Sequence, residues 1–143
     1  DDEVELAPPH ERSYFLHKKR IDALTFNFVG YQSTLPFMGG VNERPEEVIA
    51  ADLMELESLM DERTILVTHS PALGILDPTQ LGPAGSQAVR DAVIRRNVRA
   101  HIHGHTHSSF GRDGIHFNVA AGHKKRAMMI DLHSMIHEVL ADP

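Results

Sequence analysis

Between Leu24 and Tyr31 (LTFNFVGY) the side chains alternate, with Leu24, Phe26 and Phe28 on one side and Thr25, Asn27 and Val29 on the other. A period of two predicts a strand. From Pro45 to Met60 the period lengthens. Val48, Ile49, Leu53, Leu56, Leu59 and Met60 recur at helical spacing and predict one apolar helix face. Pro45 suits the first turn, and Glu46 and Glu47 suit the positive end of the helix dipole. Thr64–Thr68 (TILVT) is β-branched and apolar at its centre, which predicts a strand covered on both faces. Ser86 is a candidate N-cap for a helix through Arg96. Ala88, Val89, Ala92 and Val93 then face inward, and Arg95 and Arg96 fall in the last turn. Val98–His103, Ile115–Val119, Ala127–Leu132 and Met135–Leu140 read as further strands.

The stretches between are loops. Residues 1–20 are polar and irregular, with a short strand expected at Ser13–Leu16. Gln32–Asn42 and Ser70–Gly85 are broken by prolines and glycines. Strand–helix alternation followed by a run of strands predicts an α/β fold, a layered β-sandwich with flanking helices. Ligands in such sheets gather where loops leave the carboxyl ends of strands. The chain, residues 1–143, reads as one domain or as the C-terminal half of one.

Composition narrows the function. A net charge of -6, with no basic stripe to offset it, gives no strong nucleic-acid signal. The dense basic run Lys124-Lys125-Arg126 fits a solvated turn. There is no cysteine, so thiolate chemistry is absent. No apolar run reaches transmembrane length, and Asp1-Asp2-Glu3 is unlike a signal peptide. The expectation is a cytoplasmic protein that does not engage a membrane.

Histidine is the unusual residue, at 11 copies. His101, His103, His105 and His107 fall at every second position, but Gly104 interrupts them. A glycine there predicts a sharp backbone turn that aims His105 and His107 into a site. Two imidazoles on a tight loop can address two metal ions roughly 3.5–4 Å apart. His69 follows TILVT and precedes Ser70-Pro71, a stiff strand end. Taken singly, the pair also fits a histidine-rich polar loop, and His69 a hydrogen-bonded strand end. His10, His17, His123, His133 and His137 read as surface residues, and His116 as a solvent-facing or hydrogen-bonded strand position.

Together, ILVTHSP and the downstream HIHGHTHSSFGRDGIHFNVAAG resemble the C-terminal half of the calcineurin-like metallophosphoesterases. Leu76-Asp77, the helix start at Gly85-Ser86 and the asparagine of Phe117-Asn118-Val119 add to the resemblance. It implies that His69 and His105 bind one metal and His107 another, with Ser70, Ala72, His103 and Thr106 as neighbours. It implies two divalent metal ions (Mn, Fe or Zn). The activity it implies is hydrolysis of a phosphomonoester or phosphodiester, in a small molecule or nucleotide, by a two-metal-activated hydroxide. Gln32–Asn42 and Ala72–Gly85 are expected to line the pocket.

The family's upstream motifs are not found. Before His69 there is no Asp-x-His and no Gly-Asp, and no asparagine precedes a histidine. The general acid and the bridging carboxylate are therefore expected from a missing N-terminal half or a complementary chain, without which the isolated chain is expected to be inactive. Asp77 and Asp113 cannot be assigned as substitutes. TILVT is expected to be left as an unpaired, apolar edge. The alternatives are a non-catalytic binding or scaffold module of the same fold and a histidine-rich metal-binding protein that also uses His101 and His103. Ser70 and Ser108 lack a nucleophile-elbow context.

Overall fold

The computed structural model describes residues 14–141. Most of the 1–20 segment, including Ser13 and His10, lies outside them, and Tyr14–Leu16 are not strand. A hairpin of β1 (Arg20–Ala23) and β2 (Phe26–Tyr31) comes first. Then follow α1 (Glu46–Leu56), β3 (Thr64–Thr68), a small hairpin of β4 (Pro78–Thr79) and β5 (Gly82–Pro83), and α2 (Gln87–Arg96). The chain ends with β6 (Ala100–His103), β7 (Gly111–Asp113), β8 (His116–Asn118), β9 (Arg126–Ile130) and β10 (His137–Ala141). One six-stranded sheet runs in the order β1-β2-β3-β6-β8-β7, and its central pairs β2–β3, β3–β6 and β6–β8 are parallel.

This corrects the expected position of TILVT. As β3 it lies inside the sheet between β2 and β6, because the β1–β2 hairpin supplies the neighbour on its other side. It is covered on both faces, as the apolar run predicts. Leu66 joins Val29, Tyr31 and the inner residues of α1 and α2, whereas Ile65 and Val67 join Phe117, Met128 and Ile130. Both helices therefore cover one face, and residues of β9 and its turn pack on the other.

α1 ends at Leu56, and Glu57–Leu59 tightens into a 3-10 turn, so the helix stops short of Met60. Val48 is exposed, while Ile49 and Leu53 are buried. Burial of each of these two contributes about 2 kcal/mol. α2 follows the sequence closely. The Ser86 hydroxyl accepts from Val89 N at 3.1 Å, and Ala88, Val89, Ala92 and Val93 are its buried residues. Glu46 of α1 reaches across to accept from Ser86 Oγ and Ala88 N. Leu24 is not in the strand. It turns the β1–β2 hairpin with φ 56 and is fully exposed. Among the described residues, no helix is long and apolar enough to cross a membrane.

Candidate functional site

β3 and β6 run parallel with Thr68 opposite His103, so both carboxyl ends reach the same edge of the sheet. His69 follows the first and His105 lies two residues past the second. Backbone bonds lace these ends together: His69 N donates to Tyr31 O at 3.2 Å, and Gly104 N donates to His69 O at 3.3 Å. The His69 and His105 rings meet edge to face with centroids 5.0 Å apart. His107 opens a short 3-10 turn, His107–Ser109, and its charge is felt by both rings.

The sharp turn falls on a different residue from the one expected. Gly104 does not have a positive φ, whereas His105 has φ 68. A left-handed backbone is uncommon outside glycine and is favoured only where surrounding contacts hold it. Gly104 instead lies against His69, whose Nδ1 would be 3.8 Å from an added Cβ. A second glycine, unremarked in the sequence, fits the third histidine. Gly122 has φ 61, and a Cβ there would come within 3.2 Å of the His107 ring.

Burial is the main cause of a lowered pKa at both His69 and His105. The neighbouring histidines lower them further, while Glu43 opposes the shift at His105. Neutral imidazole is the ligand form of histidine. Among the described residues, no group of three or more His, Cys, Asp or Glu side chains forms a metal-binding cluster. His69 and His105 meet as a pair, with His107 beside them.

The nearby carboxylates serve the backbone. Glu43 accepts from the amides of Phe37, Met38 and Gly39 at 2.7–2.9 Å, which holds its pKa down at about 2. Asp77 is buried and accepts from Gly74 N and Gly85 N. Asp113 is exposed in β7. The chain does contain one Asp-x-His, Asp131-Leu132-His133, but it lies in the β9–β10 turn. There Asp131 accepts from His133 N and Ser134 N, and His133 packs on Phe26 at the opposite end of β2 from Tyr31.

Asn118, fully buried, organises the loop that bears His105 and His107. Its Nδ2 donates to Thr106 O, Thr106 Oγ1 and Ser109 O, and its Oδ1 accepts from Ala120 N. Thr106 Oγ1 in turn donates to Leu76 O. The sequence marks Asn118 by position alone, without a role.

Below the loop lies a chain of buried histidines. His101 and His103 are almost fully enclosed, and His116 is buried rather than solvent-facing. Thr68 Oγ1 donates to Ser70 O and therefore accepts from His101 Nε2, 2.8 Å away. That leaves His101 Nδ1 as an acceptor, so His116 Nδ1 donates to it across 2.9 Å. Burial, more than any neighbour, pushes all three pKa values down, that of His103 to about 4. His17 is half-buried and accepts from Gln32 N, while His123 and His133 are exposed.

The two loops singled out in the sequence meet beside His105. Leu35, Pro36 and Phe37 from one, and Thr79 and Leu81–Ala84 from the other, enclose about 180 Å³ with His105 in the wall. A second hollow of about 270 Å³ lies by His69, between Phe15, His17 and Gln32.

No family model and no curated protein matches the chain. Among solved structures, it is similar to TT1561 of Thermus thermophilus, with a TM-score of 0.61 and 17% identity. The match covers 88% of this chain and 58% of that one, so the chain spans little more than half the length of the solved protein. Likeness at this identity shows the fold alone: mixed α/β, with a mostly parallel six-stranded sheet and two helices.

Proposed function

We propose that the chain is the imidazole-bearing part of a metal-dependent phosphoesterase acting on a phosphomonoester or phosphodiester. The observation that carries this reading is the meeting of the His69 and His105 rings, 5.0 Å apart, where β3 and β6 end side by side. Their donor chemistry fits a divalent ion, since burial keeps both imidazoles neutral. His69 and His105 would hold one ion and His107 a second, with Mn, Fe or Zn suited to the nitrogen ligands. When bound, such ions acidify a water and neutralise phosphoryl charge.

The chain's own residues do the positioning. Asn118 and Thr106 fix the loop, Gly122 leaves room for the His107 ring, and two loops wall the hollow beside His105. Glu43 and Asp77 are engaged with backbone amides, so a bridging carboxylate and a general acid are proposed to come from an N-terminal half or a complementary chain. Metal content by mass spectrometry and hydrolysis of bis-p-nitrophenyl phosphate by the complete protein test this. His69→Ala and His107→Ala are expected to lower metal content and abolish hydrolysis. Unchanged turnover would sink the reading.

A further inference from the structure

The hollow beside His105 has a chemical character of its own. None of its lining residues carries an aspartate, glutamate, lysine or arginine side chain. Leu35, Phe37, Leu81, Pro83 and Ala84 give it apolar walls, and Phe37 stands edge-on to the His105 ring with centroids 5.2 Å apart. Two of these residues leave apolar surface in solvent: Phe37 is 48% exposed and Leu81 82%. Exposed apolar groups at the mouth of a formed hollow mark a place where a ligand can cover them.

The walls are also fixed before anything binds. Glu43 accepts from three consecutive amides and sets the course of the segment bearing Phe37. On the opposite side, Asp77 accepts from Gly74 N and Gly85 N and closes the loop that carries β4 and β5. Thr79 Oγ1 donates to Gly82 O and holds the small hairpin itself. Pre-set walls reduce the ordering that binding would otherwise require.

Size decides what fits. About 180 Å³ is well under the roughly 300 Å³ at which pockets for drug-sized ligands begin. An apolar cavity of about 150 Å³ suffices for one benzene ring. We propose that this hollow is the subsite for a single aromatic ring, so that the preferred substrates are phosphate esters of a phenol-like alcohol. The ring would lie between Phe37 and Leu81 with its ester oxygen toward His105. This substrate assignment rests on the phosphoesterase reading, but the ring subsite can be measured without it.

The experiment is a titration of the chelator-treated protein with phenol, with inorganic phosphate and with glycerol, followed by amide NMR. Phenol is expected to shift Phe37, Leu81, Ala84 and His105 saturably, while phosphate and glycerol leave Phe37, Leu81 and Ala84 in place. Leu81→Asp, at an exposed position that the fold tolerates, is expected to weaken phenol about tenfold, and Leu81→Met to retain it. Phenyl phosphate is expected to bind tighter than ethyl phosphate. No saturable phenol shift at these residues, an unchanged Leu81→Asp affinity, or equal binding of the two esters would overturn the proposal. Saturable phenol binding in a protein that neither takes up metal nor hydrolyses esters would establish the ring subsite while overturning the phosphoesterase reading.

Discussion

The Asn118 carboxamide holds Thr106 twice, donating to its carbonyl at 2.8 Å and its hydroxyl at 2.9 Å. Thr106 lies between the two histidines of the Gly104–His107 segment, so this one contact controls the aim of both. Asn118→Ala removes these donors inside the protein and leaves buried acceptors unpaired. The expected loss is about 2–3 kcal/mol of stability, read by urea denaturation. Metal affinity should fall with it, even though Asn118 is not proposed as a ligand. Asn118→Asp, which puts a second acceptor where a donor is needed, should be worse than Ala. Wild-type stability in either variant would remove Asn118 from this role.

The buried His101 chain predicts acid sensitivity at mild pH. His101 has a folded pKa well below 6.5 because burial excludes the charged form. The unfolded chain takes up that proton as pH falls through about 6.5, and the folded chain does not. Stability therefore declines as pH drops below that value, by roughly 1.4 kcal/mol per pH unit for each such histidine, until its folded pKa is reached. Denaturation curves between pH 7.5 and 5, in chelator, should show the decline. The depressed carboxylates Glu43, Asp52, Asp61 and Asp131 have ordinary values of 4.5 and 3.8 and titrate below this window. His101→Gln should flatten the slope.

Gly122→Ala should disturb His107 without touching the sheet. The added methyl meets the ring at 3.2 Å on a backbone with φ 61, where a Cβ is disfavoured. About 1 kcal/mol of destabilisation is expected, with shifted His107 ring resonances and unmoved His101 resonances. Unshifted His107 signals would show that Gly122 does not set this ring's position.

Glu43→Gln should loosen the segment bearing Phe37 while leaving the fold intact. The variant replaces a carboxylate that three amides share. Faster hydrogen exchange at Phe37, Met38 and Gly39 is the readout. In the wild type, the folded pKa of about 2 lies below the ordinary 4.5, so the clamp's contribution is present above pH 4.5 and fades as pH falls toward 2. Slow exchange at these amides should therefore survive at pH 4.

What the sequence disclosed depended on range. α2 was legible in full because its cap, its apolar face and its last turn lie within one short stretch. β3 was legible as a strand, but its pairing on both sides was not. Arg20–Ala23 (RIDA) alternates over only four residues, too few to mark a strand, and becomes one by pairing with β2. β7 (Gly111–Asp113) likewise owes its form to β8. At the site, the spacing of His69, His105 and His107 pointed to the edge where the structure puts them. The holding roles of Asn118, Glu43 and Asp77 were illegible, because these side chains act through backbone groups brought near by loops. The left-handed conformation falls on His105 rather than on Gly104, whose amide is tied to His69 O.

The pairing of β3 with β6 has a thermodynamic consequence. His69 and His105 follow different strands, 36 residues apart in the chain, and become neighbours only when these strands are in register. A ligand that requires both rings therefore binds the native chain and not the unfolded one. Its binding free energy adds to folding free energy, and the melting temperature rises with ligand concentration. The two rings thus make the site a gauge of whether the centre of the sheet has assembled.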